Sequence, residues 1–286
     1  MDLTNILWGL FLITFLFWTG LETPKGEIAC LLHERGFMLR ALLAEVVLVP
    51  ILGFVLAEAF QLSGQFRTGF LLVACLPGGM MALNFVRMAR GNMPLAAGLV
   101  FILNALGILV APPVARFFFK EAGLRQPGLI AILLLFVLVA VPFYFGRIAR
   151  TRGEKIVLPL GKVLNIASLL LFVAANVSAV SVRGPAIRGL DGSMVVAIIL
   201  LVAGAWVISW SLSGRDLPEK KTVSITTSMR NFAIALLLCR NLPAESSVVG
   251  AIIAFNGIAV PMNMLFGLVL HWIGRPAAGR IQPRTA

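Results

Sequence analysis

A single guanidinium sits inside an apolar stretch, "SITTSMRNFAIALLL" (Ser224–Leu238), with Arg230 at its centre. Thr226, Thr227 and Ser228 precede it and Asn231 follows. A cation flanked by hydroxyls and an amide can bind an anion or hold a buried carboxylate. In hydrocarbon such a charge is costly, so it is a functional hypothesis by default. A second unusual stretch is "CLPGGMMALNFVRMARGN" (Cys75–Asn92). Pro77 lacks a backbone donor, and Gly78 and Gly79 weaken a helix, so the chain is expected to break there. A broken helix exposes backbone N–H and C=O groups that can bind ions.

The elements that position these groups follow from composition. The chain has 286 residues, of which 59% are hydrophobic and 13% charged. These values lie outside the range of soluble domains. Long unbroken apolar runs, rather than short alternating ones, point to an all-α membrane protein and not a barrel. Nine spans are read, at roughly 5–20, 38–60, 66–90, 94–117, 128–147, 156–182, 192–213, 220–240 and 246–272. The whole chain, 1–286, reads as one transmembrane domain.

The net charge of +12 raises the question of nucleic acid. The basic residues sit in short loops between apolar runs, which is a topology signal and excludes that partner. Of 24 lysines and arginines, 16 fall on the side holding the C-terminus and 7 on the other, with Arg230 left in the core. The C-terminus is therefore expected in the cytoplasm and the N-terminus outside, in a multi-pass inner-membrane protein surrounded by lipids. Arg87 and Arg90 are expected to snorkel to the cytoplasmic surface. Met1–Asn5 lacks the positive region of a cleavable signal.

Cys30, Cys75 and Cys239 are far apart, and His33 and His271 are isolated, so no metal ligand set and no disulfide framework is expected. No nucleophile–base set is visible either, which argues against an enzyme, and no cofactor is implied.

The third and eighth spans, the two interrupted ones, lie five apart. This predicts an inverted repeat, with 1–147 a truncated first copy and 156–272 the second, and a binding site between the breaks. A faint sequence echo supports it. Asn84-Phe85 with Arg90, Asn92 and Pro94 parallels Asn231-Phe232 with Arg240, Asn241 and Pro243. Met80, Met81, Phe85 and Phe232 read either as lining of an apolar vestibule or as ordinary packing.

These motifs carry a resemblance. Pro-Gly-Gly followed at fixed distance by Ala-Arg-Gly-Asn (Ala89–Asn92) resembles the bile acid:sodium symporter family. "MRN" (Met229–Asn231) is similar to that family's Met-Gln-Asn, and "TGLETP" (Thr19–Pro24) to an early turn of the family. The resemblance implies a panel domain, a core domain with two broken crossing helices, two sodium sites and transport of organic anions. Residue by residue, the family's sodium ligands fall on Ala82, Leu83, Ala96 and Val100, which offer no side-chain oxygen. A family glutamate falls on Thr226, one glutamine on Arg230 and a second on Glu45.

The resulting expectation is a sodium-independent transporter of small organic anions, proton-coupled or facilitated. Glu45 and Arg230 form a coupling ion pair where the family holds sodium. Arg230, Asn231, Asn84, Thr226 and Thr227 are the candidate substrate-binding residues. Asn256 and Asn263 are further polar groups, in the last span. The alternatives are a static structural pair, a receptor or scaffold of the same fold, and a sodium symporter with a rebuilt ion site.

Overall fold

The computed structural model describes residues 3–23, 35–121, 129–151, 153–187, 189–214, 216–239, 242 and 246–273. Cys30, His33, Arg240, Asn241 and Pro243 lie outside these. The helices are α1 (Leu3–Glu22), α2 (Arg35–Leu42), a π-helical turn (Leu43–Leu48), α3 (Val49–Ala59), α4 (Gly64–Cys75), α5 (Ala82–Met88) and α6 (Met93–Glu121). They continue with α7 (Leu129–Arg150), α8 (Glu154–Arg183), α9 (Gly192–Leu212), α10 (Leu217–Ser228), α11 (Phe232–Leu238) and α12 (Ser247–Trp272). No strand occurs among the described residues.

Among the described residues five stretches are long and apolar enough to cross a bilayer: Gly36–Ala59, Met93–Lys120, Val157–Val182, Gly192–Leu212 and Ser247–Trp272. Ile6–Glu22 is a shorter apolar helix. The expected third and eighth spans fall below the length limit for a physical reason. Each is two short helices, α4–α5 and α10–α11, joined by a non-helical break.

The helices pack in two groups. In the first, α1 lies against both α7 and α8. Glycines permit the α1–α7 contact. A Cβ on Gly20 would stand 2.3 Å from Phe143 O, and one on Gly146 2.1 Å from Phe17 O. Close backbone approach at small residues is how helices associate in lipid, where apolar burial alone gives little drive. In the second group α12 packs on α4, α9 packs on α3 and α10, and α10 also touches α5 and α6. Trp8 of α1 meets Phe232 of α11 edge-on at 5.3 Å, which joins the groups. The outward faces are apolar, with Leu170, Val177 and Leu265 exposed. That is the pattern of a surface solvated by hydrocarbon rather than water.

Candidate functional site at the helix crossing

The first break begins where α4 ends. Leu76 turns extended, as the residue before a proline is pushed to do. Gly78 then takes φ +89, a conformation that favours glycine. Here the chain presses on α6, since a Cβ on Gly78 would lie 2.8 Å from Asn104 N. The second break follows Ser228. Asn231 restarts the helix by accepting from Ile234 N at 3.2 Å, a side-chain N-cap.

The two breaks cross in contact. A Cβ on Gly79 would stand 2.1 Å from Met229 O. The Asn231 backbone N–H donates to Leu76 O at 3.1 Å. Leu76, Met80, Met81, Met229, Arg230 and Asn231 are all buried, as irregular backbone at membrane depth must be. Met80, Met81, Phe85 and Phe232 are buried too, so here they act as packing.

Arg230 is fully buried and forms an ion pair with Glu45, itself buried, through Nη1 and Oε2. Its Nη2 donates to Glu45 O at 3.0 Å and to Ala74 O at 2.8 Å. Both carbonyls need an outside donor. In the π-helical turn Val49 N–H bonds Ala44 O, five residues back. The same ladder would give Glu45 O the N–H of residue 50, which is a proline and has none. Ala74 lies in the last turn of α4, where carbonyls have no helical partner and favour a cation. One guanidinium thus neutralises a carboxylate, repairs a π-bulge and caps a half-helix.

This geometry corrects one expectation. Arg230 is not presented to an incoming anion. It is 0% exposed and both terminal nitrogens are engaged by Glu45 and Ala74, which leaves only the buried Nε without a partner among the described residues.

The other candidate residues divide. Thr227 lies beside the Glu45 carboxylate. Thr227 Oγ1, Ser224 Oγ, Glu45 Oε1 and Arg230 Nε are buried and unpaired among the described residues. Thr226 turns back on its own helix, to Thr222 O at 2.9 Å and Val223 O at 3.0 Å. Asn231 Nδ2 donates to Asn104 Oδ1 at 2.8 Å. Asn84 lies within α5, half-buried, with its amide 3.9 Å from Met81 Sδ. The Asn-Phe echo is therefore not a structural equivalence: Asn231 caps its half-helix, whereas Asn84 is inside one.

Asn104 and Lys221 escaped the sequence reading as site residues, and it named Asn256 and Asn263 in the last span without their partners. Asn104 is one amide in the apolar run "LVFILNALGILV", and that isolation was the available signal. Asn263 accepts from Ser228 Oγ at 2.5 Å and Trp206 Nε1 at 3.1 Å, which anchors the second break to α9 and α12. Asn256 donates to Asn176 of α8, across the two helix groups. Lys221 is buried and donates to Ala89 O at 3.0 Å and Leu270 O at 2.5 Å, near the ends of α5 and α12. The Ala-Arg-Gly-Asn motif abuts it. A Cβ on Gly91 would stand 2.7 Å from Thr222 Oγ1, and Asn92 caps α6 through Leu95 N at 3.1 Å. Lys221→Met keeps the apolar stem but leaves both carbonyls unpaired. It is expected to cost about 1–3 kcal/mol, read as a lower thermal midpoint in detergent.

Residues 9–189 match the family model described as the sodium bile acid symporter family. The chain belongs to that family. Its members are transporters. It is similar to an uncharacterized sodium-dependent transporter, YocS, of Bacillus subtilis (strain 168), at 26% identity over 233 residues, covering 80% of this chain and 72% of that protein. A probable sodium/metabolite cotransporter of Oryza sativa subsp. japonica, BASS2, is 25% identical over 233 residues, covering 76% and 54%. The P3 protein of Mus musculus is 25% identical over 270 residues, covering 89% and 56%. The chain spans about half the length of these plant and mammalian relatives.

Proposed function

We propose that this member of the symporter family is a secondary transporter of small organic anions that works without sodium. Arg230 takes the position of a sodium ion, and Glu45 is its carboxylate partner. The observation that carries this reading is the buried guanidinium at the helix crossing, holding one carboxylate and two carbonyls as a bound cation would. Ala82, Leu83, Ala96 and Val100, where the family resemblance puts sodium ligands, are fully buried apolar side chains. Hard cations require several oxygen ligands, and these four supply none from side chains. Nine spans, an inverted repeat of 1–147 and 156–272, and a cytoplasmic C-terminus in an inner membrane complete the proposal. The movement is that of the broken-helix group (a core) against α1, α7 and α8 (a panel). A proton on Glu45, or none at all, replaces the coupling ion.

One observation favours a second reading, a sodium symporter with a rebuilt site. Glu45 Oε1, Thr227 Oγ1 and Ser224 Oγ are buried oxygens that no hydrogen bond pairs among the described residues, and relatives are named as a sodium-dependent transporter and a probable sodium/metabolite cotransporter. The test is a thermal-shift screen of the purified protein against a panel of carboxylates, in sodium chloride and in choline chloride at equal ionic strength. The expected result is the same stabilisation in both salts. A saturable stabilisation seen in sodium only overturns the proposal in favour of the rebuilt site. Accumulation of the best carboxylate in proteoliposomes then separates a transporter from a receptor of the same fold.

A further inference from the structure

With Arg230 fully buried and its terminal nitrogens engaged inside the crossing, first contact with an anion calls for a cation that can be reached. Arg87 meets the requirement. It lies on α5, the half-helix that leads out of the first break, five residues after its start at Ala82. That places it about 7–8 Å along the helix axis from the break. Its Nη2 donates to Glu22 Oε1 of α1 at 2.7 Å, and its guanidinium lies over the Trp18 ring at 5.1 Å. Trp18 Nε1 also donates to Glu22 Oε1, at 3.0 Å. The expected free snorkelling of Arg87 is thus replaced by a contact between the two helix groups. On the α8 side Gly161 faces the pair: a Cβ there would lie in ordinary contact, 3.9 Å from Glu22 Oε1 and 4.0 Å from Trp18.

Arg87 and Glu22 are 42% and 29% exposed, so dissolved anions reach the pair. An ion pair in that setting is held weakly. A guanidinium suits a carboxylate, which its planar fork of N–H donors can hold at two oxygens. We propose that Arg87 is an anion-recognition residue: a substrate carboxylate displaces Glu22 from its guanidinium and so releases α5 from α1. The substrate carboxylate takes the place of Glu22 on the guanidinium, and Glu22 is left to the Trp18 Nε1–H and to solvent, so one negative charge is added while the bond between the helix groups is lost. The inference rests on the transporter reading, but it concerns a site away from the ion pair and is tested separately.

The test uses the full chain in nanodiscs with Cys30 replaced by Ser and spin labels on Thr151→Cys, after α7, and Ser211→Cys, on α9. Both positions are exposed, and Cys75 and Cys239 are buried. The probe is benzoate, with neutral benzamide and equimolar chloride as controls. Benzoate is expected to add a longer-distance population that benzamide and chloride do not. Glu22→Gln, or Glu22→Asp if the first variant misfolds, is expected to show that population without any ligand. Arg87→Gln is expected to show it constitutively and to lose the response to benzoate, while Arg87→Lys keeps a weaker response. Identical distances in the Glu22 variants and the parent overturn the proposal, as does an undiminished benzoate response in Arg87→Gln. Failure here with salt-independent carboxylate binding intact would leave the transporter reading standing.

Discussion

Replacing Arg230 with glutamine is expected to destabilise the protein by about 3–5 kcal/mol, and Glu45→Gln by a similar amount. The physical source is the partner left behind. Glu45 is 1% exposed and Arg230 0%, so water cannot solvate the orphaned charge. Arg230→Gln also strips the donor from Glu45 O and Ala74 O. The double change Glu45→Gln, Arg230→Gln places two neutral amides where the family resemblance has two glutamines. Each amide can donate and accept, so the double variant is expected to recover more than about 1 kcal/mol relative to the sum of the singles. Arg230→Lys should fall between, because a point charge cannot reach a carboxylate and two carbonyls with a planar fork. Denaturant unfolding in mild detergent, run as a double-mutant cycle, measures all four variants. Additive single effects would refute the reading of the pair as one unit.

How much of this site the sequence disclosed depended on the range of each interaction. The breaks were legible because proline and paired glycines act on their own backbone. Arg230 was legible because a charge inside an apolar run conflicts with its immediate neighbours. Glu45 is 185 residues from Arg230, and nothing near it in sequence names that partner. The family resemblance supplied the position, and Pro50 was the visible trace of the π turn. Asn104 and Lys221 stayed hidden, and Asn263 was visible without a role, for the same reason: their partners lie on other elements. The count of spans met a different obstacle. Length and hydropathy recognise a continuous helix, and the two segments that build the site are discontinuous. The faint Asn-Phe echo misled because residue identity was matched without helix phase. Asn231 caps α11, while Asn84 is already inside α5.

Gly79→Ala is expected to be among the most damaging single-methyl additions in the chain. The added Cβ would lie 2.1 Å from Met229 O and 2.3 Å from Met229 C. Both are backbone atoms of the opposing break, so no side-chain rotation relieves the clash. Moving Met229 would also pull the Asn231 N–H away from Leu76 O, and would shift the residue that carries the Arg230 guanidinium. The cost is placed at about 3 kcal/mol or more, the upper end for overpacking. Gly79 does not have positive φ, so the penalty is steric and not a loss of backbone freedom. Gly257→Ala serves as the matched control. It lies inside α12 with nothing within 4 Å of the added Cβ, so the same chemical change should stabilise by about 0.5–1 kcal/mol through helix propensity. Thermal midpoints of the two variants, measured side by side, should move in opposite directions. A Gly79→Ala protein as stable as its parent would mean that the two broken helices do not cross in contact at Met229, and the guanidinium at the crossing would lose the geometry argued for it.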